Sequence, residues 1–258
     1  MSSGNGNVSQ YQYYFASGYY DQRYPKANHS VLALVRNLLP HNGRVLDYGC
    51  GSGRYLLELR YQAAECIGFD ICDAALSRLR DNLVVLDCAE HITLLGPQEA
   101  QLEAYCRQSG PVDLALCLFG VLAHIDTPKK RQDVLRTLAH SLDLVEGRLI
   151  ISVPNRRRRF RKEQRNFSGE DQIRYTRHIE GNTLELSYRM YDAGSLSREL
   201  EQAGFEIEQL RAESFFPESW LARSMLLARL DHGLCRWLPA DLGYGILAVA
   251  RPRRQRGA

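Results

Sequence analysis

The sequence predicts an α/β fold, with a seven-stranded and mostly parallel sheet, helices on both faces and one β-hairpin insertion. Two observations predict it. Short apolar strands alternate with amphipathic helices along the chain, and the first strand runs directly into a glycine-rich turn. Alternating β and α units with right-handed crossovers build a parallel sheet. The 258 residues suffice for one such domain with an insertion.

The chain before the first strand divides into three parts. Residues 1–10 are polar and we expect no regular structure there, whereas residues 11–24 are rich in tyrosine. Residues 28–39 have apolar side chains at helical spacing, and Pro40 and Gly43 end that pattern. Residues 1–27 are therefore predicted to form an arm that precedes the domain.

The first strand and its turn are the most informative segment. Apolar residues lead to Asp47, and Gly49, Gly51 and Gly53 follow at alternate positions. Glycines at this spacing let the backbone turn sharply and approach a ligand closely. A dinucleotide-binding turn would have its third glycine one residue later, where Arg54 stands, and Asp47 would repel a pyrophosphate. A nicotinamide-dependent dehydrogenase is therefore disfavoured.

A second acid follows the glycines at a diagnostic distance. Residues 66–70 form a short apolar strand that ends in Asp70, about 20 residues after the turn. Nucleotide-binding folds place a carboxylate there against the ribose hydroxyls. An N-cap or a solvated loop acid is the alternative interpretation, but the pairing with the glycine turn favours a ligand.

The segment Val45-Leu-Asp-x-Gly-Cys-Gly-Ser-Gly53 resembles motif I of the class I S-adenosylmethionine (SAM) dependent methyltransferases. The resemblance implies a Rossmann-like sheet, SAM as cofactor and a methyltransferase domain over residues 28–258. It also assigns Asp70 to the ribose and Ile71 to the adenine, and it places the donor against Asp47, Gly49, Gly51 and Gly53.

The third strand has two possible positions. Apolar residues at helical spacing from Leu76 to Leu86 favour a helix, which leaves 92–95 as the strand. The rival interpretation uses 83–86 as the strand. On the first interpretation the following loop is 96–98, and the resemblance then suggests Gln98 as the adenine contact.

The fourth strand covers 113–119 and leads to a second segment of the resemblance. Leu118-Phe-Gly-Val-Leu-Ala-His-Ile125 is similar to the family's sequence after strand four. The similarity implies that Phe119 and Gly120 face the methionine part of the donor. It places His124 near the methyl group as a base or acceptor orienter; a histidine that packs the start of the next helix is the alternative.

The rest of the chain is predicted from the same patterns. Gly181-Asn182 is turn chemistry between two alternating segments, which indicates a hairpin inside an insertion at 156–192. The remaining elements are a helix at 127–142, a strand at 147–153, hairpin strands at 173–179 and 184–191, a helix at 195–203, a strand at 205–211, a helical stretch at 217–238 and a last strand at 244–250.

Two clusters are candidates for the acceptor site. Residues 156–165 contain seven basic residues and one acid, although the chain as a whole has a net charge of only +3. This run fits a solvated loop, contact with RNA phosphates, or a pocket for an anionic acceptor, for which Arg156, Arg158 and Arg161 are candidates. Tyr19 and Tyr20 are candidates for a lid over donor and acceptor, or for simple docking of the arm.

The expected function is methyl transfer from SAM to an unidentified small or anionic acceptor. One alternative is an RNA-modifying enzyme, because His124-Ile-x-Thr-Pro-Lys-Lys-Arg131 and Tyr188-Arg-x-Tyr191 are similar to eukaryotic tRNA wobble-uridine carboxymethyl methyltransferases. A non-catalytic SAM-binding module is the other. Oligomeric state is not readable from the sequence.

The composition points to a cytoplasmic protein. No apolar stretch reaches the length of a membrane span, and the N-terminus lacks the features of a signal peptide. The seven cysteines are scattered without a Cys-x-x-Cys pair, which favours neither a metal site nor a disulfide framework.

Overall fold

The computed structural model describes residues 6–166 and 171–254, and it contains two sheets. The large sheet has seven strands and the small one is a two-stranded hairpin. In chain order the strands are β1 Arg44–Tyr48, β2 Glu65–Phe69, β3 Ile92–Leu95, β4 Leu114–Cys117, β5 Arg148–Pro154, β6 Gln172–Ile179, β7 Asn182–Arg189, β8 Phe205–Ser214 and β9 Gly245–Pro252.

The large sheet has the order β3-β2-β1-β4-β5-β9-β8. Its first five strands are parallel, and β9 lies antiparallel between β5 and β8. The predicted seven-stranded, mostly parallel sheet with a hairpin insertion is confirmed. The strand order reverses between β1 and β4, and ligands of open α/β sheets bind outside the carboxyl ends of the strands at such a point.

Helices cover both faces of this sheet. They are α1 Gly6–Ala16, α2 Tyr19–Arg23, α3 His29–Leu38, α4 Leu56–Leu59, α5 Asp73–Val85, α6 Glu99–Ser109, α7 Pro128–Ser141, α8 Arg161–Asn166, α9 Ala193–Gln202, α10 Glu218–Leu221 and α11 Met225–Cys235. The predicted third strand at 92–95 is confirmed, and residues 83–85 of the rival interpretation belong to α5.

Two apolar clusters fill the space between sheet and helices. On one face Val31 of α3 and Leu76 of α5 pack with strand residues such as Leu114. On the other face Leu135 of α7 and Leu196 of α9 join the second cluster. All five side chains are fully buried, as expected for parallel strands covered on both sides.

A buried charge network ties α7 to α9 and the end of the hairpin. The Arg131 guanidinium donates to Glu199 Oε1 at 2.9 Å, and Arg189 donates to the same oxygen at 2.8 Å. The Tyr191 hydroxyl donates to Glu199 Oε2 at 2.7 Å. Arg131 and Glu199 are both nearly inaccessible, so the network fixes this side of the domain.

The structure corrects the expectation for the N-terminal arm. Residues 1–5 lie outside the described part of the chain, but residues 6–10 are helical rather than unstructured. The helix α1 packs on α5 and on the hairpin strand β7, which bury Tyr14 and Phe15. Tertiary burial therefore stabilises a helix whose own sequence has little amphipathic pattern.

Two further elements differ from the prediction. The sequence analysis assigned no element to 99–109, where the structure has α6. The helical stretch expected at 217–238 is divided into α10 and α11, because Ser224 adopts an extended conformation and its hydroxyl accepts a bond from the Leu227 N–H at 3.3 Å. No helix in the described ranges is long and apolar enough to cross a membrane.

Candidate functional site

A cavity of about 380 Å³ lies at the carboxyl ends of β1, β2 and β4, below α1. The strands and their loops form its floor, and α1 and Tyr20 of α2 form its cover. The lining residues include Asn7, Tyr11, Phe15, Tyr20, Tyr48, Gly49, Gly51, Asp70, Ile71, Glu99, Phe119, His124 and Lys130.

The glycine turn forms the wall beside β1, and its three glycines have different surroundings. All three have positive φ angles, of 79°, 56° and 88° in chain order. A Cβ at Gly49 would lie 2.5 Å from a Val121 methyl group, and one at Gly53 would collide with Leu79. Gly51 instead presents bare backbone to the cavity, with only the Phe15 ring near its absent Cβ, at 3.1 Å.

Asp70 at the end of β2 is fixed by the backbone around it. Its carboxylate accepts bonds from the Gly51 N–H at 2.8 Å and from the Cys72 N–H at 2.9 Å. Burial nevertheless raises its pKa to about 6. A buried carboxylate held in this way is prepared to accept hydrogen bonds from a ligand that enters the cavity.

Asp47 lies deeper, at the end of β1, and is 3% exposed. Burial and the neighbouring Asp70 charge raise its pKa to about 7, and the Arg54 charge opposes this shift. Two acids near one another, both with raised pKa values, form an environment that favours a cationic ligand.

The opposite wall is the segment after β4. Phe119 has a φ of 60°, which is unusual for a bulky residue, and its N–H donates to Ser152 Oγ at 2.8 Å. A Cβ at Gly120 would collide with the Tyr188 hydroxyl. The backbone here is therefore pressed against the hairpin, and it turns the Phe119 ring into the cavity.

His124 lies between α1 and the hairpin. Its Nδ1 is 3.2 Å from the Ser187 carbonyl oxygen, so this nitrogen carries the proton and donates. Nε2 then accepts from the Tyr11 hydroxyl at 2.7 Å. Burial lowers the His124 pKa to about 3, so the ring is neutral at physiological pH.

The structure brings many of the predicted residues together around one cavity. Those that line it are Gly49, Gly51, Asp70, Ile71, Phe119, His124 and Tyr20. Of the others, Asp47 is buried near the end of β1, Gly53 packs on Leu79, Gly120 packs on Tyr188, and Tyr19 stacks on Tyr14. Gln98 accepts a bond from Gln101 and does not line the cavity, whereas its neighbour Glu99 does.

The predicted arginines lie away from the cavity. Arg156 pairs with Asp171 at 3.1 Å and with Asp192 at 3.7 Å. Arg158 donates to the Leu242 carbonyl at 2.7 Å and stacks over Phe215, and Arg161 is exposed at the start of α8. Arg158 therefore anchors the insertion to the rest of the domain, whereas Arg156 pairs with acids of the insertion itself.

Sequence reasoning missed several lining residues. Tyr11 was grouped with the tyrosines of the arm, and nothing local distinguishes it from Tyr13. Asn7 falls in the segment expected to be unstructured. Glu99 could have been found, because it is an acid in the first turn of the helix that follows β3. Its carboxylate lies next to Gln98, which has none.

The site fits SAM in its size and in four features of its chemistry. The cavity volume lies within the range of about 300–1,000 Å³ typical of small-molecule sites. Asp70 offers acceptors for a diol, the acid pair suits an ammonium group, and the Gly51 backbone leaves room that a side chain would fill. Aromatic rings from α1, α2 and the β4 segment suit a sulfonium.

A family model described as a methyltransferase domain matches residues 19–210 of the chain. This range covers the glycine turn, both acids, the segment after β4 and the hairpin. A search of curated proteins finds no match for the chain.

Solved structures share the fold at low sequence identity. A SAM-dependent methyltransferase from Clostridium acetobutylicum has a TM-score of 0.64 at 11% identity, with 90% of this chain and 92% of that chain covered. The Burkholderia thailandensis 1,6-didemethyltoxoflavin-N1-methyltransferase, bound to its substrate and S-adenosylhomocysteine, scores 0.63 at 18%, with 98% and 92% covered. A chain of the complex between the Haloferax volcanii Trm112 methyltransferase activator and a putative methyltransferase scores 0.60 at 15%, with 99% and 100% covered.

The family match covers well over half of the chain, and the fold, the glycine turn and the paired acids agree with it. The chain therefore belongs to the methyltransferase-domain family, with the class I fold of the SAM-dependent enzymes.

Proposed function

We propose that this protein transfers the methyl group of SAM to a small acceptor molecule inside the cavity below α1. The observation that carries the proposal is the cavity at the ends of β1, β2 and β4, which is lined by Asp70 on one side and by Phe119, His124 and Tyr20 on the other, with Asp47 buried behind it. A cavity that α1 partly covers and that holds oriented groups suits an in-line displacement.

The donor is expected to use the residues on the β1 and β2 side. Asp70 accepts from the ribose hydroxyls, Ile71 covers the adenine, and Glu99 accepts from its amino group. Asp47 neutralises the ammonium group, and Gly49 and Gly51 allow close approach of the backbone. When bound, SAM supplies an electrophilic methyl group on a cationic sulfur.

His124 is better suited to hold the acceptor wall than to remove a proton. Both ring nitrogens are engaged, with Ser187 and Tyr11, and a pKa of about 3 makes the ring a weak base. In this role His124 orients the hydroxyl of Tyr11, which is one of the lining residues. The acceptor must then be a nucleophile that needs no strong protein base.

The cover of the cavity favours a small acceptor over RNA. Asn7 of α1 donates to the His124 carbonyl at 3.0 Å and to Ser187 Oγ at 3.0 Å, and it accepts from the Ser187 N–H at 3.0 Å. These bonds join α1 to the hairpin above the site. A polymer would have to displace this joint, whereas a small molecule fits below it.

The test is turnover of SAM to S-adenosylhomocysteine in the presence of a metabolite fraction from which polymers have been removed. We expect turnover with the small-molecule fraction, and no loss of turnover after RNase treatment of a complete extract. Asp70→Asn, which replaces the charged ribose acceptor with a neutral amide, should lower turnover strongly at limiting SAM, and Asp81→Asn on the exposed side of α5 serves as the matched control.

Two outcomes would contradict the proposal. Turnover that depends on intact RNA would identify the RNA-modifying alternative, for which the exposed Arg161, Lys162 and Arg165 would be the first contacts to test. Binding of SAM without turnover on any fraction would instead identify a non-catalytic SAM-binding module.

A further inference from the structure

Four arginines lie against one group of packed aromatic rings that includes Tyr24. Arg23 Nε donates to the Tyr24 hydroxyl at 3.0 Å, and the Arg54 guanidinium lies 5.8 Å from the Tyr24 ring centre. Arg177 lies 5.9 Å from the centre of the Tyr14 ring, which packs through Tyr20 against Tyr24, and Arg159 lies over the Tyr188 ring. Like charges repel one another, so this convergence is unfavourable unless a negative group joins it.

Three of these arginines have donors without a partner. Arg54 Nη2, Arg159 Nε and Arg177 Nε are each inaccessible to solvent and have no hydrogen-bond partner among the described residues. The Arg54 side chain as a whole is only 7% exposed. Buried guanidinium nitrogens are normally satisfied, and each unsatisfied one has a considerable desolvation cost.

Carboxylates of the described residues balance only part of this charge. Glu218 pairs with Arg54 at 3.4 Å, and the structure has no carboxylate within 4.0 Å of Arg159 or Arg177 in the ranges it describes. Glu213 lies near Arg159 and Arg54, but burial and Glu218 raise its pKa to about 7, so its negative charge is incomplete. The cluster keeps an excess of positive charge.

Aromatic rings hold the arginines in place, and Arg177 also hydrogen-bonds to Tyr175. Arg159 lies over Tyr188 at 5.6 Å and over Tyr244 at 5.0 Å. Arg177 lies over Tyr175 at 5.4 Å. A guanidinium stacked on a ring can still donate in its own plane, and two oxygens of a carboxylate or phosphate match this edge.

The cluster adjoins the proposed acceptor side of the cavity. The Phe119 ring lines the cavity, and the Arg54 guanidinium lies over it at 4.5 Å. Phe119 also contacts Tyr24 at 4.7 Å. Tyr188 joins the other side, because it stacks on His124 at 4.2 Å and on Arg159. Phe119 and Tyr188 therefore contact both the arginines and residues of the cavity wall.

We propose that Arg159 and Arg177, with Arg54 on the donor side, form a binding site for an oxyanion, a carboxylate or a phosphate, of the methyl acceptor. This inference rests on the proposed function, and it names the acceptor as an anionic small molecule. The site differs from the exposed run at Arg156, Arg158 and Arg161, because Arg159 alone of that run points into the aromatic cluster. An oxyanion held by these guanidinium groups would offset the excess positive charge of the cluster.

The experiment uses inorganic phosphate and acetate as probes of the full-length chain. Each is titrated against the wild type at constant ionic strength with sodium chloride, and binding is followed by thermal denaturation and calorimetry. We expect saturable stabilisation of the wild type. Arg159→Gln and Arg177→Gln should each weaken the binding of the probe at least about 10-fold, since each removes charge-assisted hydrogen bonds.

Two control variants and one control measurement separate this site from other causes. Arg174→Gln removes an exposed arginine from the same strand as Arg177 and should leave phosphate binding unchanged. Arg177→Lys should recover part of the affinity, because the charge remains while the fork is lost. Arg159→Gln and Arg177→Gln should bind SAM with wild-type affinity, which also shows that they are folded.

Two results would overturn the inference. Equal stabilisation of the wild type and both glutamine variants would show that the probes act elsewhere. Loss of SAM affinity in these variants would assign the arginines to the carboxylate of the donor. Failure of the proposed function would look different from failure of this inference. The wild type would then bind phosphate as expected but would neither bind nor turn over SAM.

Discussion

Replacement of Asp47 with asparagine should stabilise the protein in the absence of SAM while it weakens SAM binding. Asp47 is 3% exposed, and its pKa is raised from 3.8 to about 7 by burial and by Asp70. Each pKa unit corresponds to about 1.4 kcal/mol, so the ionised carboxylate costs the folded state up to about 4 kcal/mol. Asparagine removes this cost without a large change in shape.

The sign of the effect depends on pH. Because the pKa is higher in the folded than in the unfolded chain, the penalty is fully present above pH 7, and it disappears below the unfolded value near 3.8. Asp47→Asn should therefore raise the free energy of unfolding at pH 8 by up to about 4 kcal/mol, and this gain should shrink as the pH falls toward 4.5.

The assay is urea denaturation of the SAM-free protein at pH 8 and at pH 4.5, with Asp81→Asn as the exposed control. SAM titrations by calorimetry at pH 8 accompany it, and the affinity of the variant should fall. If Asp47→Asn destabilises the protein at pH 8, or if its effect is the same at both pH values, the assignment of a buried and strained carboxylate is wrong.

The remaining expectations concern three other positions. Asp70→Asn should weaken SAM about 10- to 100-fold in calorimetry, because it replaces a charged acceptor; unchanged affinity would contradict the ribose assignment. His124→Gln should leave the pH profile of kcat unchanged between pH 6 and 8, since the ring is already neutral there. Loss of an ionisation near pH 6.5 in the variant would instead support His124 as the general base. Arg131→Ala should lower the free energy of unfolding by about 3–5 kcal/mol in urea titration, because it leaves Glu199 buried with one partner fewer. A loss below about 1 kcal/mol would show that the network relaxes.

Local patterns in the sequence predict the fold well because the sheet depends on them. The alternation of apolar strands and helices predicted the seven strands, and the helical spacing before Leu86 correctly left the third strand at 92–95. The glycine turn and Asp70 lie within 25 residues of one another in the sequence. Their hydrogen bond is therefore a local event that sequence spacing can anticipate.

The parts that the sequence did not predict depend on tertiary contacts. The helix α1 forms because α5 and the hairpin bury its tyrosines, and its residues alone have no clear helical pattern. The arginine cluster draws on Arg54, Arg159 and Arg177, which are brought together only by the hairpin and the arm. The spacing of the basic run does not show which of its arginines is exposed. Arg156 pairs with Asp171, whereas Arg159 packs over the Tyr244 ring.

The hydrogen bonds of Asn7 join α1 to the hairpin over part of the cavity. Under the proposed function, SAM and its acceptor would occupy the space that these residues partly cover. Exchange of SAM for S-adenosylhomocysteine would then be coupled to movement of the first helix, and product release becomes a natural place for the slow step.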